Sequence, residues 1–228
     1  MPAARVGMPK PLQKAAATEA EIALLGDLHP LVQQLGATEG LHEMARISRS
    51  LEVPQVTHPD SLRSFLRAYQ SRILVPLELP IIHQAYLHGA GGRSRELVAL
   101  DQEVSAAPKL RDFASASQRV GQAQLRRLRP LRDVRVLQRY LAAVEAGDAQ
   151  GWHTVVFGLT LSIYSVPLRQ GLLGYAQQVM RGFIHTAGMR FAVSHSQSEE
   201  MIQELNGALP TALGTLLFLE GLQRSRGR

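Results

Sequence analysis

Cysteine is missing from the 228-residue chain, which excludes disulfides and thiolate-bound metals and suits a reducing compartment. Aromatic residues make up only 5%, too few to interleave with basic side chains as stacking platforms for single-stranded bases. Long apolar runs are also lacking. The longest stretch without formal charge, Ala149 to Leu168, contains Gln150, His153, Thr154, Thr160 and Ser162 and closes at Pro167, so it reads as a helix buried in the protein rather than a membrane span. The first 17 residues have no apolar segment of the secretory kind, and a soluble protein is expected. No phosphate-cradling Gly-x-x-x-x-Gly-Lys occurs, and Gly89-Ala-Gly-Gly92 lacks both the lysine and a preceding apolar strand. There is no Gly-x-Ser-x-Gly elbow. Asp101 and Glu103, two apart on an expected helix, point away from each other and make no catalytic pair. These absences leave no visible enzyme.

What is present begins with charge. The formal excess of +6 lies in the tails: Arg5, Lys10 and Lys14 at one end, Arg224, Arg226 and Arg228 at the other. The body between is neutral but polarised. Residues 18–60 carry Glu19, Glu21, Asp27, Glu39, Glu43, Glu52 and Asp60 against Arg46 and Arg49, a net of −5. Residues 109–139 carry nine basic residues against Asp112 and Asp133, a net of +7. Such polarity favours contact between unlike protein surfaces. Six arginines fall between Arg126 and Arg139. They could meet phosphates, but a solvated or protein-facing helix surface fits the scarcity of aromatics better.

Helical spacing dominates the body and no hairpin signal appears. Thr18 with Glu21 forms a capping box for a first helix through Ile22, Leu24, Leu25 and Leu28. A second helix is expected after Gly40. Pro59 suits a first helical turn and opens a stripe of Leu62, Phe65, Leu66 and Tyr69. Pro76 and Pro80 are expected to break or kink the next segment, before Ile81, Ile82, Ala85 and Tyr86 resume a stripe up to the Gly89–Gly92 turn. Leu97, Leu100 and Val104 mark a helix ending near Pro108. Leu125, Leu128, Leu131, Val134, Leu137 and Leu141 read as one helical stretch across Pro130. Asp148 is the expected cap of the helix from Trp152 to Tyr164, and another helix runs from Leu168 to Gly188. Ser196 with Glu199 reads as a second capping box, and Pro210 as the start of the final helix. The expectation is an all-α, single bundle-like body of nine or ten helices over residues 18–223, between basic tails at 1–17 and 224–228.

Histidines are the remaining chemical candidates. Glu39-Gly-Leu-His42 has the Glu-x-x-His spacing of di-iron bundles, but no second copy accompanies it. His83 and His88 are five apart, a poor match to one helical face, and His185 and His195 have no carboxylate or thiolate alongside. A helical haem-oxygenase- or di-iron-like enzyme around His42 or His83 stays open as an alternative, as does nucleic-acid binding through Arg126 to Arg139.

In order, several segments resemble one family. Gly36-Ala-Thr-Glu-Gly-Leu41 stands where that family has an early glycine loop. Leu79-Pro-Ile-Ile-His-Gln-Ala-Tyr86, Leu100-Asp101, Ala116-Ser-Gln-Arg-Val-Gly121, His153-Thr-Val-Val-Phe-Gly158, Val166-Pro167, Tyr175, Met189-Arg190 and Gln197 come after it. Together they resemble the urease accessory protein UreF family from about residue 22 to residue 220. The chain departs from the pattern at Gln33, Gln34, His42 and Ala114, and at Ala192-Val-Ser-His195. The resemblance implies a cytoplasmic, all-helical homodimer without enzymatic activity of its own. It implies binding to a scaffold protein (UreD, also called UreH), recruitment of the GTPase UreG, and nickel delivery to the urease apoprotein, with no tightly bound cofactor, no nucleic acid and no membrane. Gly40, Leu41, Ser117, Gly121, Tyr175, Arg190 and Gln197 are the partner-binding residues it implies.

Overall fold

Histidine and proline start the helix Pro59–Tyr69. Pro59 supplies a preset φ at its first turn, and His58 caps it reciprocally with Ser61: the Ser61 N–H donates to His58 Nδ1, and the His58 N–H to Ser61 Oγ at 3.1 Å. In this computed structural model, residues 36–226 are described, with side chains from residue 42 onward except 208, 216 and 218–226. Along the described chain we number α1 (Gly36–Ser50), α2 (Pro59–Tyr69), α3 (Leu79–Ala90), α4 (Ser94–Ala106), α5 (Ala114–Leu128), α6 (Arg135–Ala146), α7 (His153–Ile163), α8 (Leu168–Gly188) and α9 (His195–Arg226). A π-helical segment, Gln70–Glu78, joins α2 to α3, and a 3-10 segment, Pro108–Phe113, leads into α5. The described residues thus make eight continuous helical runs with no strand between them. The all-α expectation holds. The expected N-terminal tail and the Thr18–Glu21 capping box lie outside the described residues, while α9 runs on to Arg226, into the stretch expected as the C-terminal tail.

Several local expectations give way to the structure. The helix expected after Gly40 starts at Gly36 and carries Gly40 inside it. Pro76 and Pro80 do not interrupt the chain between α2 and α3. A proline ring at 76 would strike the Arg72 carbonyl in an α-turn and leave it without a donor. The backbone instead widens to a π-turn, and the Leu79 N–H bonds the Leu74 carbonyl five residues back. Gly89 and Ala90 complete α3, so the turn is confined to Gly91 and Gly92. Pro130, by contrast, does end a helix. The stripe from Leu125 to Leu141 is split between α5 and α6, whose corner is held by Gln138 Nε2 donating to the carbonyls of Arg129 and Leu131. Pro210 lies inside α9 rather than at a helix start. The lost hydrogen bond there is offset by burial of Met201, Leu205, Leu209 and Leu213 along one face of that helix.

Helix α7 is the centre. Every residue from His153 to Leu161 is buried, as its apolar, uncharged sequence requires. Its most extensive partner is α3. A Cβ at Gly158 would overlap the Ile82 carbonyl oxygen, so glycine there allows the two backbones to approach. α5 covers another side of α7, while α8 joins α9, α1, α2 and α3. One continuous apolar core spans these elements. No described helix is long and apolar enough to cross a membrane.

Candidate functional site

Asp101 sits where the apolar stripe of α4 (Leu97, Leu100, Val104) would ordinarily carry another hydrophobe, and it is fully buried. Its carboxylate accepts the Tyr140 hydroxyl at 2.6 Å and three successive backbone N–H groups, those of Gln150, Gly151 and Trp152. Those donors lie in the loop leading into α7, where the helix has no side-chain cap of its own. Asp148, the expected cap, does not fill that role, and Asp101 from a distant helix gathers the loop instead. Gly151 turns that loop with φ +73°, a conformation side-chain-bearing residues rarely adopt. Trp152 Nε1 donates to Ser105 Oγ at 2.8 Å, fixing the other side.

Against the same loop lie two residues of the Ala116–Gly121 motif. The His153 N–H donates to Ser117 Oγ at 3.2 Å, and a Cβ at Gly121 would overlap the Gly151 carbonyl oxygen. His153 Nδ1 lies 3.0 Å from Gln124 Oε1, which places the ring proton on Nδ1. From His153 the buried rings continue through Phe157 to Tyr175. Tyr175 in turn faces the Glu78 carboxyl at the end of the π segment, which also accepts the Tyr69 hydroxyl at 2.9 Å. Burial pushes the Glu78 pKa up to about 7 against the two hydroxyls, which work the other way. The hydroxyls of Tyr69, Tyr140 and Tyr175 are all pushed well above 10, by burial first and then by the carboxylate each one faces. Such hydroxyls stay protonated and donate to the carboxyl that each one faces.

This polar and aromatic axis organises the interior, with a buried histidine, tyrosines that donate to buried carboxyl groups, and one fully committed carboxylate. Among the described residues no three or more His, Asp or Glu gather as metal ligands. His42 is exposed on α1, whereas His83 is buried on α3.

The implied partner-binding residues divide by depth. Ser117 and Tyr175 are 3% and 1% exposed, and Gly121 backs onto the α7 loop. These three shape the core. Arg190 is exposed just beyond the end of α8. Gln197 is half-buried and caps α9: its N–H donates to Ser194 Oγ, and its Oε1 accepts the Ser194 N–H. The capping box is therefore Ser194 with Gln197, two residues before the Ser196–Glu199 pair. Gly40 lies within α1, and the side chain of Leu41 is outside the described set. Beside Arg190, Met189 is 59% exposed, on the rim of a groove of about 410 Å³ lined also by Ile184, His185, Val193, His195 and Ser198. The structure thus brings His185 and His195 to one groove.

Sequence reasoning missed the interior roles of Asp101 and Glu78. The signal was an acid at a core-facing stripe position, i+4 from Leu97 in one case and from Leu74 in the other. Residues 56–218 match the family model described as UreF. That segment takes in the interior axis and the groove but not Gly40 or Leu41. No curated protein matches the chain.

Proposed function

Because the chain belongs to the UreF family, we propose that it is the chaperone subunit which, with a UreD/UreH scaffold and the GTPase UreG, promotes nickel insertion into urease. Family membership carries the coarser role, that of a urease accessory protein. The assignment of scaffold, GTPase, homodimer and cytoplasmic site is our reading. The observation that carries it is the match itself, which runs through every element from the start of α2 to within α9.

The geometry is consistent with a docking role. The groups of the interior axis are used to fix α7, α5 and α8 to one another. Functional chemistry is then left to surfaces such as the Met189–Arg190 corner, where an exposed apolar side chain adjoins a guanidinium of the kind suited to forked carboxylate recognition. Nickel is cargo of the assembly, and GTP hydrolysis belongs to the partner.

Co-expression tests the proposal. Tagged chain should retain the cognate scaffold and GTPase through purification, and its deletion should leave urease nickel-poor and inactive. Failure to associate in pairwise and three-way mixtures, together with full urease activation in its absence, would sink the proposal.

A further inference from the structure

Six arginines occupy the corner where α5 ends and α6 begins: Arg126 and Arg127 in the last turn of α5, Arg129 and Arg132 in the connection, Arg135 and Arg139 in α6. All six are exposed. Only Arg129 is paired, to Glu145 at 2.6 Å; among the described residues the other five form no ion pair. Fold stability does not account for this arrangement. Arg126 and Arg127 suit a helix C-terminus, but Arg135 opens α6, whose first turn contains no acid. A cation there opposes the helix dipole, and its neighbours repel it. The corner is nevertheless held in place, because Pro130 ends α5 and Gln138 ties down two carbonyls of the turn. Guanidinium groups crowded on a braced corner, at a local electrostatic cost, are what a surface prepared for an oppositely charged partner requires.

We propose that the α5–α6 corner is a docking surface for a protein partner that presents clustered Asp and Glu side chains. Carboxylates fit better than phosphates for two reasons. Asp133 stands in the middle of the cluster and is exposed, where it would repel a phosphate chain but can be met by a basic residue on a protein. Moreover, the exposed large apolar side chains of the described residues are Tyr164 and Met189, neither of them on this corner, so bases would find no ring to stack upon. The Arg129–Glu145 pair shows the kind of contact expected across the interface. This surface lies away from the Met189–Arg190 corner in sequence and does not depend on the urease reading.

The test compares two charge-matched variants of the full chain by anisotropy of a short labelled polyglutamate peptide. One carries Arg126→Glu, Arg132→Glu and Arg139→Glu. The other carries Arg95→Glu, Arg169→Glu and Arg181→Glu, three exposed arginines elsewhere. The corner variant should lose roughly tenfold in affinity and the control less than about threefold, with wild-type binding weakened by salt. Equal losses in both variants would overturn the proposal, since net charge alone would then explain binding. Tighter binding of a duplex RNA that depends on the same arginines would overturn it in favour of nucleic acid. A change in oligomeric state on sedimentation of the corner variant would overturn it in favour of a second copy of the chain. If circular dichroism finds the corner variant unfolded, Arg→Gln changes at the same three positions replace it and are matched by Arg→Gln at Arg95, Arg169 and Arg181, with the same outcomes.

Discussion

A single carboxylate, that of Asp101, accepts one hydroxyl and three backbone N–H groups, so it replaces the missing cap of α7 from a helix about fifty residues away. An amide in its place would keep one acceptor oxygen and turn an NH2 group towards donors. Asp101→Asn should therefore cost on the order of 2–4 kcal/mol of unfolding free energy. Urea denaturation measures this, and a loss under about 1 kcal/mol would mean that the loop finds other acceptors. Glu78 has the opposite character. Its carboxyl ionises near 4.5 when exposed but at about 7 in the fold, so below the lower value both states hold the proton. Between the two, the folded state holds more protons than the unfolded one, and stability falls as pH rises. The fall amounts to a few kcal/mol at about 1.4 per pH unit and levels off above the upper value. Glu78→Gln keeps an acceptor for Tyr69 and should flatten that slope. Identical slopes in wild type and variant, from denaturant melts at several pH values, would refute the assignment.

At the scale of elements, proline marks a local disturbance, but the outcome of that disturbance depends on what lies around it. Pro59 begins a helix as expected because capping and φ are local properties. Pro76, Pro130 and Pro210 look alike in sequence, yet one is absorbed in a π-turn, one ends a helix and one sits inside a long helix. The difference follows from whether the flanking residues share a buried face, which is a tertiary fact. α9 illustrates this. It is fastened to α2 by apolar burial of Met201 and Leu205, by Gln70 Nε2 donating to the Leu205 carbonyl at 3.0 Å, and by Glu204 bridging Arg63 and Arg67 at the surface. Exposed ion pairs contribute little. Leu205→Ala should accordingly cost about 2–5 kcal/mol, while Glu204→Ala should leave the melting temperature close to that of wild type. Thermal unfolding of the two variants decides it, and a larger effect from Glu204 would reverse the ranking.

For the whole molecule, helix content and the burial of residues 151–161 within the uncharged 149–168 stretch were legible because apolar periodicity and missing charge report directly on burial, although Gln150, Tyr164, Ser165 and Pro167 in that stretch are exposed. Legibility stopped where residues of one motif part company in space. Ser117, Gly121 and Tyr175 share a sequence pattern with Arg190 and Gln197, yet the first three pack inside and Arg190 faces solvent. A motif alone does not separate residues kept for packing from residues kept for contact, and depth does. The separation has a measurable consequence for the proposed docking role. Ser117→Ala removes the acceptor of the His153 N–H and should lower stability by about 1–3 kcal/mol. Any fall in urease activation would then follow from the smaller folded population. Arg190→Ala should leave the melting temperature unchanged and still lower urease activation several-fold, because it removes a surface guanidinium without disturbing the axis from Asp101 to Glu78. Paired melting and activation measurements on the two variants test this. Full activation with Arg190→Ala would remove that residue from the docking surface and leave the groove by Met189 without its charged anchor.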